Sequence, residues 1–192
     1  PGGLIRSYFD YLSGGELEWV RMPDHYDRFV YPGLDFPVPS GQDAYQQRLT
    51  EVFPSEARAI RRYFRDIRRA ARWGMLRFIQ AMAPRPIASV ARGLQRLTGR
   101  MATRTTQDYL KRRFRSPRLR ALVASQWGDY GLPPSRSPFV VHAGIVRHYL
   151  DGAWFPEGGS SRIARTFEKG IEQAGGAVRV SQEVVEILVG DG

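Results

Sequence analysis

The sequence predicts an α+β fold in which helices dominate and a small antiparallel sheet lies near the N-terminus. Through most of the chain, apolar residues recur every three to four positions, which is typical of amphipathic helices. Between residues 17 and 38, and again between 177 and 189, the period falls to about two, which is typical of strands. Hydrophobic residues make up 42% of the 192 residues, so the chain can build a globular core.

The N-terminal part of the chain changes from helix to strand and back to helix. A first helix is predicted to end at Ser13 and the two glycines after it. Three short strands are predicted over residues 17–22, 26–31 and 34–38. The chain turns between the last two at Pro32 and Gly33, so these strands are expected to pair as an antiparallel sheet. A helix over 40–52 follows, with Ser40 as its candidate N-cap.

The longest predicted element is a basic amphipathic helix over 56–82, with Ser55 as its candidate N-cap. Its apolar residues follow an i, i+3, i+4, i+7 series along one face, and arginines occupy the opposite face. The side chains that we expect to contact a membrane, if this helix does so, are Arg61, Arg65, Arg68, Arg72 and Trp73.

Three interpretations of this helix are open. The simplest is that it packs its apolar stripe on the protein core. The second is contact with an anionic membrane surface, where each basic side chain contributes about 1 kcal/mol. The third, nucleic-acid binding, fits least well because it does not require the long apolar face. The first two are compatible, since one helix can bury a stripe and present arginines to lipid head groups.

The net charge of +10 is unevenly distributed along the chain. Between residues 58 and 120 there are nineteen basic residues and two acidic ones, Asp66 and Asp108, and eighteen of the nineteen are arginine. Arginine favours bidentate contacts with phosphate or carboxylate groups. The same composition also arises in proteins encoded by GC-rich genomes. The parts of the chain before residue 58 and after residue 120 are acidic, so a basic segment lies between two acidic arms.

The second half of the chain is predicted to hold further helices and a final pair of strands. The helices are expected over 103–114, 117–127, 138–150 and 160–174, with a weaker amphipathic segment over 87–99. Ser116 and Ser160 are candidate N-caps, and the pair at Gly175 and Gly176 is expected to end the last helix. Strands are expected over 177–180 and 183–189.

The residue types needed for several common chemistries are absent. With no cysteine, the chain holds no disulfide and no cysteine-based metal site or nucleophile. The sequence also lacks the GxGxxG, GKS and HExxH motifs and a nucleophile elbow. His142 and His148 are six residues apart and so lie on different faces of a helix, which argues against a shared metal. Asp129 is a candidate for proton transfer or, more simply, for capping backbone amides. We assign no catalytic residue and no metal site.

The sequence contains no apolar run of the roughly 20 residues that a membrane-spanning helix needs, and no signal peptide is visible. We therefore expect a cytoplasmic protein with peripheral membrane association. The chain starts at Pro1 and stops at Gly192, directly after a strand-like run, so we expect it to be a piece of a longer protein.

Specific motifs occur between residues 126 and 164. The sequence is QWGDYGLPP at 126–134, SPF at 137–139 and PEGGSSRIA at 156–164. Near the N-terminus, EWVRM at 18–22 belongs to the same pattern. Together these motifs resemble the phytoene desaturase, carotenoid isomerase and retinol saturase group of FAD-dependent oxidoreductases, and the resemblance extends over nearly the whole chain.

The resemblance implies a two-domain flavoenzyme. Residues 1–155 would form a substrate-binding, membrane-facing domain, and residues 156–192 would return to an FAD-binding domain that this chain leaves incomplete. Val184 matches a valine whose backbone meets the adenine of FAD in that group, although it is also interpretable as a plain strand residue. The side chains expected to bind the lipophilic substrate are Trp127, Tyr130, His142, Tyr149 and Trp154.

The implied activity concerns the carbon–carbon double bonds of a carotenoid or retinoid, by desaturation, saturation or isomerisation. FAD is the implied cofactor, and NAD(P) is a second candidate. Because the group's glycine-rich dinucleotide motif is missing here, we expect this chain alone to bind FAD poorly and to be inactive. The alternative is a non-enzymatic, arginine-rich module that binds anionic membranes or a partner protein. No nucleic-acid partner is expected.

Overall fold

The computed structural model describes residues 4–82 and 99–190, and it confirms the α+β class. Its helices are α1 (Leu4–Leu12), α2 (Gln42–Val52), α3 (Ala57–Met82), α4 (Thr106–Arg113), α5 (Pro117–Ala124), α6 (Phe139–Tyr149) and α7 (Ser161–Gln173). Its strands are β1 (Trp19–Arg21), β2 (His25–Tyr31), β3 (Leu34–Pro39) and β4 (Trp154–Pro156). None of the helices in the described ranges has the length and apolar character that crossing a membrane requires.

The chain divides into two units. The larger unit is Met22–Ala153, and the smaller combines Pro1–Arg21 with Trp154–Gly192. The N-terminal 21 residues therefore belong with the C-terminal part of the chain. The expected functional division into 1–155 and 156–192 stays a prediction.

In the larger unit, β2 and β3 form the antiparallel hairpin that the sequence predicts. Phe29 stands opposite Phe36 in the register, and Gly33 takes a positive φ of 67° at the turn, a conformation that glycine adopts without strain. Phe36 and Val38 point into the core, where they are fully buried. The hairpin thus covers one side of the helical core.

Helix α3 is the central element of the larger unit. Its buried stripe consists of Ile60, Tyr63, Phe64, Ile67 and Ala70. The same helix packs against α6, and this contact needs Gly74 because a Cβ atom there would lie 2.7 Å from Cγ2 of Val140. The core interpretation of this helix is therefore confirmed for the part up to Gly74.

Several predicted helix caps are wrong. The N-cap of α2 is Gly41, with a φ of 93° and no side-chain cap, so Ser40 does not fill this position. A 3₁₀ helix over Pro54–Glu56 precedes α3, and Ser55 lies within it. Ser160 precedes α7 in a helical conformation, and its hydroxyl makes no capping bond. In each case the chain enters the helix through a turn that a hydroxyl side chain does not stabilise.

The junction between α4 and α5 has the cap that the sequence predicts. Oγ of Ser116 accepts a hydrogen bond of 3.2 Å from the amide of Leu119, and Pro117 occupies the first turn. Oε1 of the buried Glu56 also accepts hydrogen bonds from the amides of Arg115 and Ser116, each 2.7 Å long. A carboxylate near this helix N-terminus also complements the helix dipole.

In the smaller unit, β1 pairs with β4, a strand that was not predicted. The expected sheet of three N-terminal strands is therefore wrong for β1, which pairs with neither β2 nor β3 in the described ranges. Val20 stands opposite Phe155 in this antiparallel pair. The ring of Phe9 packs between Trp19, at 5.1 Å between centroids, and Phe167, at 6.3 Å. These contacts join α1, β1 and α7.

The strands predicted over 177–180 and 183–189 are wrong. Helix α7 ends at Gln173, and Gly175 follows with a φ of 81°. The amide of Gly176 donates to the carbonyl of Ile171 at 2.8 Å, so the glycine pair ends the helix as predicted. Beyond it, residues 177–190 form no strand, and their side chains are exposed. An isolated strand leaves its backbone groups without partners, and no strand in the described ranges pairs with this segment. Most of the segment predicted over 87–99 lies outside the described residues.

Candidate functional site

A 3₁₀ helix over Ser125–Tyr130 directly continues α5 and ends at Gly131, whose φ is 69°. It places Gln126 beside Tyr26 and Asp129 beside Tyr149. It also places Tyr130 beside the buried His142. Three of the residues predicted to bind substrate, Tyr130, His142 and Tyr149, are therefore linked through this short element.

His142, on α6, is fully buried. Its Nε2 atom lies 2.8 Å from the hydroxyl oxygen of Tyr63 on α3, and its Nδ1 atom lies 3.5 Å from that of Tyr130. Phe139 packs on the imidazole ring with 5.9 Å between centroids. Burial lowers the pKa of His142 to about 4, so the ring is neutral at physiological pH. It acts here as a hydrogen-bonding group of the core, and a substrate could reach it only after neighbouring side chains moved.

Other hydroxyl groups extend this buried cluster. Oγ1 of Thr106 lies 3.0 Å from Oγ of Ser137, and both residues are fully buried. The amide of Thr106 also donates to the carbonyl of Ser137 at 2.8 Å, which holds the start of α4 beside the segment leading into α6. Burial raises the pKa of Tyr130, and the hydroxyls of Ser137 and Thr106 oppose this rise. The cluster is thus polar but uncharged.

A second cluster surrounds Tyr149. Its ring stacks on that of Tyr26, with 5.4 Å between centroids and 9° between planes. Gln126 hydrogen-bonds to Tyr26, and Asp129 to Tyr149. Burial raises the pKa of the Asp129 carboxyl, and the charge of Asp27 adds to the rise. The carboxylate of Asp129 accepts a hydrogen bond from the hydroxyl of Tyr149, and its role in proton transfer stays a prediction.

The two remaining residues predicted to bind substrate have exposed side chains. Trp127 belongs to the same 3₁₀ helix, but its side chain is exposed. Trp154 lies on β4 in the smaller unit and is also exposed. The substrate-binding role of all five residues stays a prediction.

The sequence pattern did not predict Tyr63 and Tyr26 as members of these clusters. The spacing places Tyr63 on the apolar stripe of the long helix, and Tyr26 on an aromatic strand that suits a core or the wall of an apolar pocket. The sequence offered a signal for both residues. A buried tyrosine hydroxyl generally needs a hydrogen-bond partner, and the chain offers few buried polar side chains to supply one.

One carboxylate within the basic segment has a structural role. Asp66, buried on α3, accepts a hydrogen bond of 2.9 Å from the hydroxyl of Tyr109. It also forms an ion pair with Nη2 of Arg113 at 2.5 Å. The guanidinium carbon of Arg113 lies 5.5 Å from the centroid of the Tyr109 ring. This group fastens α4 to α3 and neutralises one of the arginines.

The arginines predicted to contact a membrane all lie on the exposed face of α3. Arg68 donates to Oε1 of Gln42 at 2.5 Å. Within the described residues, Arg61, Arg65 and Arg72 have no ion-pair partner. Trp73 is half-buried and packs against the core, and the guanidinium carbon of Arg77 lies 6.0 Å from its ring centroid. Among the residues that the structure describes, no acidic side chain pairs with these three arginines of the exposed face of α3.

The site groups favour binding and orientation over acid–base chemistry. Within the described residues, no group of three or more histidine, aspartate or glutamate side chains is placed to hold a metal ion. The buried hydroxyls and imidazole can fix the positions of α3, α4 and α6 through hydrogen bonds. Because burial lowers the pKa of the imidazole to about 4, the neutral ring is a weak proton acceptor.

Known proteins resemble this chain along almost its whole length. An all-trans-retinol 13,14-reductase of Danio rerio is 33% identical over 196 residues, which is 97% of this chain. The proteins of the same name from Rattus norvegicus and Homo sapiens are 31% and 29% identical over 197 residues, or 98% of the chain. The chain is similar to all-trans-retinol 13,14-reductases.

Among the families that the sequence resembles, the similarity to these reductases supports the retinol saturase group. The chain spans about a third of their length, 32% in each case. No protein-family model matches the chain. No solved structure matches it significantly.

Proposed function

We propose that this chain is the central part of an FAD-dependent oxidoreductase that acts on a carbon–carbon double bond of a lipophilic polyene, with a retinoid as the favoured substrate class. The observation that carries the proposal is the similarity to all-trans-retinol 13,14-reductases over 97% of the chain. It agrees with the motifs between residues 126 and 164, which suggest the same group from the sequence. Reduction of the double bond is the favoured reaction over desaturation and isomerisation, because the relatives are named for it.

The residues that the structure describes do not form an FAD site by themselves. The sequence has no GxGxxG loop to receive a pyrophosphate, and Val184 is 76% exposed in a segment outside any sheet. The proposal therefore places the bound FAD in a longer protein, where it would supply the redox chemistry. NAD(P)H is a candidate source of the electrons. The adenine-contacting role of Val184 stays part of the proposal.

The proposed contribution of this chain is to bind and orient the substrate. Apolar side chains are exposed along the central motif, at Trp127, Leu132 and Val141. The stacked rings of Tyr26 and Tyr149 hydrogen-bond to Gln126 and Asp129 of the 3₁₀ helix over Ser125–Tyr130. Aromatic and apolar surface with a few polar groups is the usual lining of a site for a lipophilic ligand.

Flavin content tests this proposal directly. We expect the longer protein to purify with bound FAD, whereas the 192-residue chain alone should be colourless. Absorption and fluorescence spectra of the cofactor released by heat denaturation measure both. A longer protein that contains no flavin and takes up none from added FAD would contradict the proposal.

We further propose that the exposed arginines of α3 contact an anionic membrane surface. Support comes from Arg61, Arg65 and Arg72, which are exposed and lack ion-pair partners in the described part of the chain. Each basic side chain near an anionic surface contributes about 1 kcal/mol, and salt weakens the attraction. The same surface would serve a membrane-binding module without chemistry, and the flavin measurement separates that alternative from the enzyme.

Co-sedimentation with vesicles tests the membrane contact. The chain should bind phosphatidylcholine vesicles that contain phosphatidylserine, lose this binding as salt is added, and ignore pure phosphatidylcholine. A variant combining Arg61→Gln, Arg65→Gln and Arg72→Gln should bind much more weakly. Equal binding of this variant and the native chain would contradict a role for these arginines.

A further inference from the structure

The exposed face of α3 changes character near its C-terminal end. Positions 61, 65, 68 and 72 carry arginines, and positions 75, 76 and 79 carry Met75, Leu76 and Ile79. Successive steps of three or four residues keep all these positions on one side of a helix. One face is therefore cationic for about three turns and then apolar for the last two.

This apolar end extends past the packed part of the helix. The close approach of Gly74 to Val140 marks the end of the buried stripe. Beyond it, the side chains of Met75, Leu76, Phe78 and Ile79 are 54% to 63% exposed. At 1.5 Å per residue, the segment from 75 to the helix end is about 12 Å long. Four large apolar side chains exposed together on two helical turns are unusual for a surface in contact with water alone.

We propose that the apolar end of α3, residues 75–82, inserts among the acyl chains of an anionic bilayer while the arginines before it bind the lipid phosphates. This inference rests on the proposed membrane contact of α3 and adds which residues leave water. Interfacial helices bury their apolar surface about 5–10 Å into the boundary between head groups and acyl chains, a depth that the length of this segment allows.

The pairing of charge with apolar surface selects a lipid as the occupant. A nucleic acid would neutralise the arginines but would leave Leu76 and Ile79 in water. A bilayer surface offers both lipid phosphate and hydrocarbon within the length of one helix. The arginines of α3 match the phosphates, and the apolar residues after them match the hydrocarbon. Arg77 lies among the apolar residues, with its guanidinium near the ring of Trp73. Its side chain is long enough to reach back to the head groups.

Because the chain contains no cysteine, single-cysteine labelling tests the insertion. An environment-sensitive fluorophore is attached to Leu76→Cys, to Ile79→Cys and, as a control, to Val30→Cys. Val30 lies on β2 in the same unit and is 70% exposed. With phosphatidylserine-containing vesicles, the labels at 76 and 79 should shift to shorter wavelength and be quenched by lipids brominated on their acyl chains. The label at 30 should do neither.

Binding of unlabelled variants gives a second measurement. A variant with Leu76→Gln and Ile79→Gln removes apolar surface without changing charge, and we expect it to bind the same vesicles at least tenfold more weakly. The matched control Val30→Gln should bind like the native chain. Circular dichroism checks that each variant keeps its helices, which is expected because the altered side chains are exposed.

The outcomes separate the two proposals. If the native chain does not sediment with anionic vesicles, the membrane contact fails and the insertion fails with it. If it sediments but the labels at 76 and 79 behave like the label at 30, the insertion alone is overturned. A label at 76 or 79 already shifted before vesicles are added would show that the protein itself covers this surface, which also overturns the insertion.

Discussion

The hydroxyl oxygen of Tyr63 on α3 lies 2.8 Å from Nε2 of His142 on α6, and both side chains are buried in the core of the larger unit. This bond joins two elements that are distant in sequence. Either tautomer of the neutral ring satisfies this contact, because Nε2 accepts from the Tyr63 hydroxyl when Nδ1 carries the proton and donates to it when Nε2 does.

Removing the Tyr63 hydroxyl should destabilise the protein. Tyr63→Phe leaves Nε2 of His142 buried without its partner, and such a loss costs about 1–3 kcal/mol. The control is Tyr45→Phe, because the hydroxyl of Tyr45, also in the core, has no hydrogen-bond partner within the described residues. Urea unfolding measures both variants. Equal losses for the two would contradict the contribution of the Tyr63–His142 bond.

Acid should destabilise the protein through His142. Its pKa is lowered to about 4 in the folded chain, while an ordinary histidine titrates near 6.5. The contribution of the neutral His142 to the free energy of unfolding is therefore complete above about pH 6.5. It is lost as pH falls towards 4, because the unfolded chain binds the proton more readily. Over that window the loss approaches about 3 kcal/mol.

The pH effect can be separated from other titrations by substitution. His142→Gln should be less stable than the native chain at pH 7 but should lose less stability between pH 6.5 and 4. His148→Gln, which alters an exposed histidine on the same helix, should keep the native slope. Parallel stability profiles for the native chain and His142→Gln would show that His142 does not cause the acid sensitivity.

Little of the buried cluster could be read from the sequence. The position of His142 on a helix was predictable, but its partner lies on α3, where the apolar spacing assigned Tyr63 to the core as a hydrophobic residue. The spacing of a stripe tells which side chains are buried, and it gives no information about which polar atoms meet there. The 3₁₀ helix that carries Tyr130 was expected only as a helix end and a turn.

Contacts between residues close in sequence were predicted best. The turn at Gly33, the Ser116 cap and the glycine pair after α7 depend on neighbouring residues, and all three are present. The pairing of Val20 with Phe155 joins opposite ends of the chain, and no local pattern announces it. Residues 183–189 have the alternation of a strand, but a strand needs a partner, and none of the described strands supplies one.

Glu56 should stabilise the start of α5. Its carboxylate accepts two backbone hydrogen bonds of 2.7 Å, so Glu56→Ala leaves both amides without this acceptor. We expect a loss of about 2 kcal/mol in the free energy of unfolding. Glu51→Ala provides the control, since Glu51 is exposed and contacts only side chains of its own helix, and this change should cost about 0.5 kcal/mol or less. Similar losses for the two variants would contradict the capping role.

Gly74 should be required for the contact between α3 and α6. A Cβ at this position would lie 2.7 Å from Cγ2 of Val140, so Gly74→Ala should destabilise the protein by about 1–3 kcal/mol despite the better helix propensity of alanine. Adding Val140→Ala should recover part of this loss. Gly144→Ala, on α6 with no atom near the new Cβ, should stabilise the protein by up to about 1 kcal/mol. Thermal unfolding of these three variants and the native chain measures these effects, and an unchanged stability of Gly74→Ala would contradict the packing.

The measurement that tests the central claim most directly is the product formed from all-trans-retinol by the longer protein that contains this chain. The purified protein is supplied with FAD and a reductant, and chromatography with mass spectrometry follows the retinoid. We predict a product two mass units heavier in which one carbon–carbon double bond is saturated. Recovery of unchanged retinol from a folded, FAD-containing preparation, together with no change in a carotenoid offered in its place, would contradict the proposed function.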